Sequence, residues 1–182
     1  LVEHIHRAVT TYGVPHQAIQ IEITETGIMS EGNAIPVLQR LNEIGVEIAI
    51  DDFGTGYSSL AYLATLPISE LKIDIKFVRD LGMTVQSSAI VGAIIALARA
   101  LSLRVVAEGV ENMRQLEELN KLGCSVMQGY MFSRPLPPEE LEAWLHQTVL
   151  PRKAPWIGKA GDAEFGEALR PFDGRGSRLK PT

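Results

Sequence analysis

The sequence predicts an α/β fold: about five parallel strands alternating with helices, forming part of a β/α barrel of the TIM type. Three observations carry that expectation. Short runs of strict apolar alternation are separated by segments with helical periodicity, the pattern of parallel strands joined by crossovers. Each strand places a polar or charged residue near its C-terminal end on one parity and apolar residues on the other, which is where a β/α barrel builds its site. No G-x-G-x-x-G or P-loop pattern follows the first strand. The nucleotide-binding forms of the competing architecture, an open doubly wound sheet, therefore lose support.

Taken in order, Leu1 to Tyr12 has Val2, Ile5 and Val9 at helical spacing and stops at Gly13, as helices commonly do. Ile19 to Ile23 alternates strictly and reads as the first strand. Ala34 to Ile44 is the next helix, with Asn33 as its cap, Pro36 in the first turn and Gly45 after its end. Glu47 to Asp52 is the second strand. A short helix from Ser59 to Leu66 ends at Pro67, and Leu71 to Asp74 is the third strand. An apolar helix from Ser87 to Leu101 precedes a fourth strand, Arg104 to Glu108. Asn112 then caps a helix, with Gln115 at the capping-box position and Gly123 as its stop. Val126 to Phe132 is the fifth strand, and Pro138 opens a last helix reaching Thr148, with Glu139 and Glu140 in its first turn.

The domain is expected to occupy residues 1–150. Beyond it, residues 151–182 contain four Pro and five Gly without periodicity and read as a disordered or loosely docked tail. Trp156, Ile157, Phe165 and Phe172 are the side chains with which it could dock. The tail carries seven basic and four acidic groups, leaving ten basic and eighteen acidic in the body. An acidic body argues against broad nucleic-acid binding, so DNA is not an expected partner. A small phosphate ligand fits if divalent cations bridge it to the acids. The single Cys124 rules out an internal disulfide and fits a cytoplasmic setting. No apolar run is long enough for a membrane span.

The most informative stretch is Asp51 to Leu60, DDFGTGYSSL. Adjacent carboxylates end an apolar run, and a glycine-bracketed loop follows. Such acids at a strand's C-terminal end suit a metal-assisted site, although paired acids also occur as solvated turn residues. Parity weighs against that second reading. Gln20 and Glu22, Ala49 and Asp51, Lys72 and Asp74, Val106 and Glu108, and Val126 and Gln128 occupy the faces opposite Ile21, Ile50, Ile73, Ala107 and Met127. Repeating a polar placement on five strands is costly for folding alone, since a buried ion carries a penalty of several kcal/mol.

These segments also carry a resemblance. Glu22-Ile23-Thr24-Glu25, DDFGTGYSSL, Leu71-Lys72-Ile73-Asp74, VVAEGVE from Val105 and QGYMFSRPLP from Gln128 together resemble the EAL domain family, cyclic di-GMP phosphodiesterases and their inactive relatives. The resemblance covers Leu1 to about Leu145. It implies that Glu22, Asp51, Asp52 and Asp74 serve a two-metal Mg²⁺ or Mn²⁺ site, with Ca²⁺ inhibitory. It implies Glu108 as general base, Lys72 beside the attacking water and phosphate, and Gln128 as the residue positioning them. Glu25 matches the family glutamate that holds the DDFGTGYSSL loop. The spacer between Glu22 and Asp51 is about one residue shorter than the family's, a difference assigned to Met29–Asn33.

The implied function is metal-dependent hydrolysis of cyclic di-GMP to linear pGpG by the intact domain, in bacterial second-messenger signalling. The implied setting is a cytoplasmic homodimer, with an upstream sensory or diguanylate cyclase-like domain and a parent protein that has room for a membrane anchor. The alternative is a non-catalytic EAL-like receptor or protein-interaction module. The family's Glu-Ala-Leu signature and an Asn ligand belong before Leu1, and five strands are found of a barrel's eight. This chain is therefore expected to be the C-terminal part of a longer domain, unable to close a barrel or to act alone. His4, His6, His16 and His146 read as surface residues, Cys124 as a small buried apolar group, and Glu117 and Glu118 as a solvated helix face.

Overall fold

A computed structural model describes residues 1–30, 34–56 and 60–148. Five parallel strands form one sheet: β1 (Gln20–Thr24), β2 (Glu47–Phe53), β3 (Glu70–Ile73), β4 (Arg104–Ala107) and β5 (Val126–Met127). Their spatial order is β1-β2-β3-β4-β5, identical to the order along the chain. A doubly wound sheet would reverse direction partway across; this one does not, and the order is that of a barrel wall. Among the described residues β1 and β5 are not paired with each other.

The helices follow the sequence pattern closely. They are α1 (Val2–Tyr12), α2 (Glu25–Ser30), α3 (Ala34–Glu43), α4 (Leu60–Leu63), α5 (Ile75–Arg79), α6 (Val85–Ala100), α7 (Met113–Leu122) and α8 (Pro138–Thr148). The capping box of α7 is complete: the Gln115 amide donates to Asn112 Oδ1 at 3.1 Å, and the Asn112 amide donates to Gln115 Oε1 at 3.2 Å. Gly123 ends α7 at φ 83°, a left-handed angle that suits a residue without Cβ. No described helix is long and apolar enough to cross a membrane.

The core lies where the sheet's apolar parity meets the helices. Ile48, Ile50, Leu71 and Ile73 are all but fully buried. Against them pack Leu38 and Leu41 of α3, Val91, Ile94, Ile95 and Ala98 of α6, and Leu116 and Leu119 of α7. Each such side chain contributes about 1.5–3 kcal/mol on leaving water. Cys124 joins this cluster, as its small apolar reading requires. At the strands' N-terminal ends Arg104 pairs with Glu47 and, at 3.2 Å, with the buried Glu70, which also accepts from Gln20 at 3.1 Å.

Several expectations need correction. β3 stops at Ile73, because Asp74 leaves the ladder to cap α5, a helix too short for periodicity to reveal. β5 has two residues rather than seven. Past Gly129 the backbone turns back: the Phe132 amide donates to Gly129 O at 3.0 Å, and the Met131 amide to Val110 O at 2.9 Å. The run after Thr24, to which the sequence pattern assigns no element, is helical, as α2. The expected cap Asn33, the start of the Ser59 helix and the 151–182 tail lie outside the described residues. Leu1–Arg134 form one compact unit, and the chain from Pro135 belongs to a second whose described helix is α8.

Candidate active site

Alternation along each strand decides which side chains can meet, and the one buried ammonium of this face shows that they do. Lys72, in the middle of β3, is 6% exposed. Its Nζ lies 2.8 Å from Glu22 Oε2 on β1, 3.1 Å from Asp51 Oδ1 on β2 and 2.7 Å from Glu108 Oε1 after β4. Gln128, just past β5, donates from Nε2 to the same Glu108 Oε1 at 2.8 Å. Side chains from all five strands thus converge on one point. Glu108 and Gln128 lie one residue beyond their strands, but their amides still donate to Ile73 O (3.2 Å) and Ala107 O (2.9 Å), so strand parity persists to them.

Simple alternation would send Asp51 and Asp52 to opposite faces. The structure avoids this with an extra residue in β2: Ile50 pairs with Leu71 and Phe53 with Ile73, three steps on one strand against two on the other. Asp52 absorbs the slip at φ 54°, a left-handed angle that aspartate tolerates better than most residues. Bulges re-aim side chains beside sites. Here the result is that one carboxylate oxygen each from Asp51, Asp52 and Glu108 come within 4.8 Å of one another.

The glutamate assigned to the loop sits at its base. Glu25, 3% exposed at the start of α2, accepts on Oε2 from the amides of Gly54 and Gly56, both at 3.0 Å. The approach is close: a Cβ at position 56 would stand 3.1 Å from Glu25 Cδ, tighter than an ordinary contact. Asp74 uses Oδ1 to accept from the Lys76 amide at 2.7 Å, so one of its oxygens serves the α5 cap. Glu22 and Asp74 fall outside the Asp51/Asp52/Glu108 group, Glu22 being turned to Lys72.

Two features were not foreseen. Lys76 sits in the electrostatic reach of Asp52, and its only sequence signal is its place two residues after an acid ending a strand. Gly109, at φ 69°, lets the segment after β4 lie against Ile75, which a Cβ would overlap. Of the histidines read as surface residues, His6 and His16 bond to each other at 3.0 Å.

The charges are unbalanced. Burial alone would lower the Lys72 ammonium's pKa, but the carboxylates of Glu108, Glu22 and Asp51 beside it prevail and hold it above its ordinary range. Burial raises Glu108, with Asp51 and Glu22 adding to the rise and Lys72 opposing it. Asp52 is raised by burial and then by Asp51 and Asp74, against the opposing pull of Lys72 and Lys76. Asp51 Oδ1 is buried without an aligned hydrogen bond, although Lys72 Nζ is within ion-pair distance. A cluster of hard oxygen donors, one of them not satisfied by any aligned donor, fits Mg²⁺, Mn²⁺ or Ca²⁺ better than softer metals. An anionic substrate would be repelled by these acids unless further positive charge were supplied.

Comparison with known proteins gives a consistent answer. The family model described as EAL domain matches residues 1–135. A cyclic di-GMP phosphodiesterase of Pseudomonas aeruginosa, NbdA, is 47% identical over 146 residues, covering 80% of this chain and 19% of that protein. The chain thus spans about a fifth of the length of that curated relative. A solved c-di-GMP complex of the PaMucR phosphodiesterase superposes with a TM-score of 0.74 at 46% identity, covering 78% of this chain and 57% of that one. Klebsiella pneumoniae BlrP1, solved with cyclic di-GMP and either manganese or calcium, gives a TM-score of 0.70 at 34% identity over 74% of this chain and 34% of that one.

Proposed function

Because the chain belongs to the EAL domain family, we propose that the intact domain containing it is a metal-dependent phosphodiesterase that opens cyclic di-GMP to linear pGpG. The observation that carries this reading is the convergence on Lys72 of carboxylates from three strands, beside the Asp51/Asp52/Glu108 oxygens. A purely structural ion pair would not require acids from so many strands, nor a bulge to gather two from one.

Asp51 and Asp52 hold the cations in this reading, with Glu22 and the second oxygen of Asp74 completing the set. A divalent metal held there would supply positive charge for the phosphodiester and would lower the pKa of a water. Glu108 takes the proton from that water. Both Lys72 and Gln128 contact its Oε1, which fixes the carboxylate and leaves Oε2 for the proton. Lys72 supplies the fixed positive charge that favours the developing oxyanion. Glu25 keeps the loop after Asp52 in place through Gly54 and Gly56.

Mg²⁺ or Mn²⁺ supports turnover in this reading. Ca²⁺, which prefers more ligands at longer distances, supports binding but inhibits hydrolysis. The BlrP1 complexes support divalent metal as such. The proposal extends to a cytoplasmic homodimer and to further upstream domains; the far greater length of the relative matched supports the upstream domains alone. The test is made on the full-length protein, with products separated by chromatography. Mg²⁺ or Mn²⁺ should yield pGpG, Ca²⁺ should not, and Glu108→Gln should bind cyclic di-GMP without turnover. A metal-replete protein that binds the dinucleotide and never cleaves it is instead a receptor.

A further inference from the structure

Lys72 has a second property, separate from any contact with substrate. An ammonium has three protons to donate, and Glu22, Asp51 and Glu108 supply three carboxylate partners at 2.7–3.1 Å. Glu22 and Asp51 are metal ligands in the reading above, and Asp51 and Glu108 are two of the three acids whose oxygens gather within 4.8 Å. The third, Asp52, has no ion pair with Lys72 among the described residues. Lys72 and a divalent cation are therefore drawn to overlapping ligand sets by the same charge.

We infer that Lys72 is a resident counter-ion that competes with divalent metal for Glu22 and Asp51, so that each weakens the hold of the other. The inference rests on the metal reading above and extends it to regulation: the domain tunes its own metal affinity downward while keeping its acids neutralised. Three observations support it. Lys72 is nearly buried, so its charge is poorly screened by solvent. Its backbone is fixed within the sheet, paired with Val106 on β4, so the ammonium starts from a set position beside these acids. Its contact with Asp51 Oδ1 is the longest of the three and lacks hydrogen-bond alignment, making it the contact surrendered first. Coupling of this kind is reciprocal, so whatever Lys72 takes from metal binding, metal takes from the Lys72 contacts.

The experiment uses the full-length protein and manganese alone. Mn²⁺ binding is measured by calorimetry for the wild type, Lys72→Met and Lys72→Arg, with melting curves in EDTA and in Mn²⁺. A unit charge removed at close range in a poorly screened site predicts Mn²⁺ binding roughly tenfold tighter, or more, in Lys72→Met. Lys72→Arg, which keeps the charge, stays near the wild type. Lys72→Met also melts lower in EDTA and gains more from Mn²⁺ than the wild type does. Equal or weaker Mn²⁺ binding by a folded Lys72→Met overturns the inference while leaving the metal site standing. Absence of Mn²⁺ binding by wild type and variant alike overturns the metal reading and the inference together. A measurement free of variants serves if Lys72→Met does not fold. Amine acylation of Lys72, followed by mass spectrometry in the wild type, should be slow in EDTA and accelerate when Mg²⁺ is saturating. A rate indifferent to Mg²⁺ overturns the competition.

Discussion

Glu25→Gln isolates the connection between α2 and the loop that follows the paired acids. The native carboxylate, on a buried side chain, accepts from two backbone amides on one oxygen, Gly54 and Gly56, each at 3.0 Å. A hydrogen bond to a charged group contributes about 1.5–3 kcal/mol, against roughly 1 kcal/mol for a neutral one. Exchanging the carboxylate for an amide therefore costs about 1 kcal/mol or more at each bond, roughly 2–3 kcal/mol together. The loss is local, since both donors belong to the loop rather than to the core. At about 1.4 kcal/mol per factor of ten, opening of the loop becomes some thirty- to a hundredfold more frequent. Hydrogen exchange reads this directly, because exchange from a locally opened segment follows its opening free energy. The Gly54 and Gly56 amides should lose protection by that factor. The Glu111 and Asn112 amides, which donate to Gln115 Oε1 at 2.7 and 3.2 Å in an independent cap, should keep theirs. Unchanged exchange at Gly54 and Gly56 in a folded variant would refute the claim that Glu25 holds the loop.

Two further perturbations address the bulge and the segment after β4. Asp52→Asn keeps a residue that tolerates the left-handed angle and removes a charge that its surroundings disfavour. A carboxyl raised above its ordinary pKa favours the fold when protonated, and that advantage is lost as pH rises through the folded pKa. In EDTA at neutral pH, Asp52→Asn should therefore melt above the wild type, with the gap closing in acid, while Mn²⁺ binding weakens. A lower melting temperature at neutral pH would contradict the electrostatic account. Gly109→Ala adds a Cβ that overlaps Ile75 at a positive φ, costing roughly 2–4 kcal/mol from overpacking and backbone strain together. Thermal melting should show a fall of about 5–15 °C, partly restored by the double variant with Ile75→Ala; an unaltered melting temperature would mean that the two segments are not packed as described.

Where local rules act alone, the sequence was enough. The box formed by Asn112 and Gln115, the stop at Gly123 and the helix from Pro138 to Thr148 all follow from short-range chemistry. Parity did more than mark core residues: Glu22, Lys72, Glu108 and Gln128 were placed on one face from alternation, and they touch there. What alternation could not supply is any departure from itself. The slip between Ile50 and Phe53 is decided by pairing with β3, so no pattern inside β2 announces that Asp52 joins Asp51. Asp74 was read as the strand's last residue because its role as a cap depends on a five-residue helix below the length at which periodicity speaks. β5 was overextended for a similar reason. Met131 and Phe132 are apolar enough to continue a strand, but their amides bond to Val110 and Gly129 instead.

The agreement between strand order and chain order has a consequence for how the protein is made. Each of β2 to β5 pairs with the strand synthesised just before it, so each new β/α unit can dock on an edge already formed as the nascent chain leaves the ribosome. The acids of β1 and β2 emerge before Lys72 and would repel one another until β3 brings the ammonium between them. Glu108 and Gln128 come last and close the contact from the other side. A growing chain halted after β3 would have the ammonium between its first acids yet lack Glu108. Completion of synthesis through Gln128 and completion of this constellation are the same event.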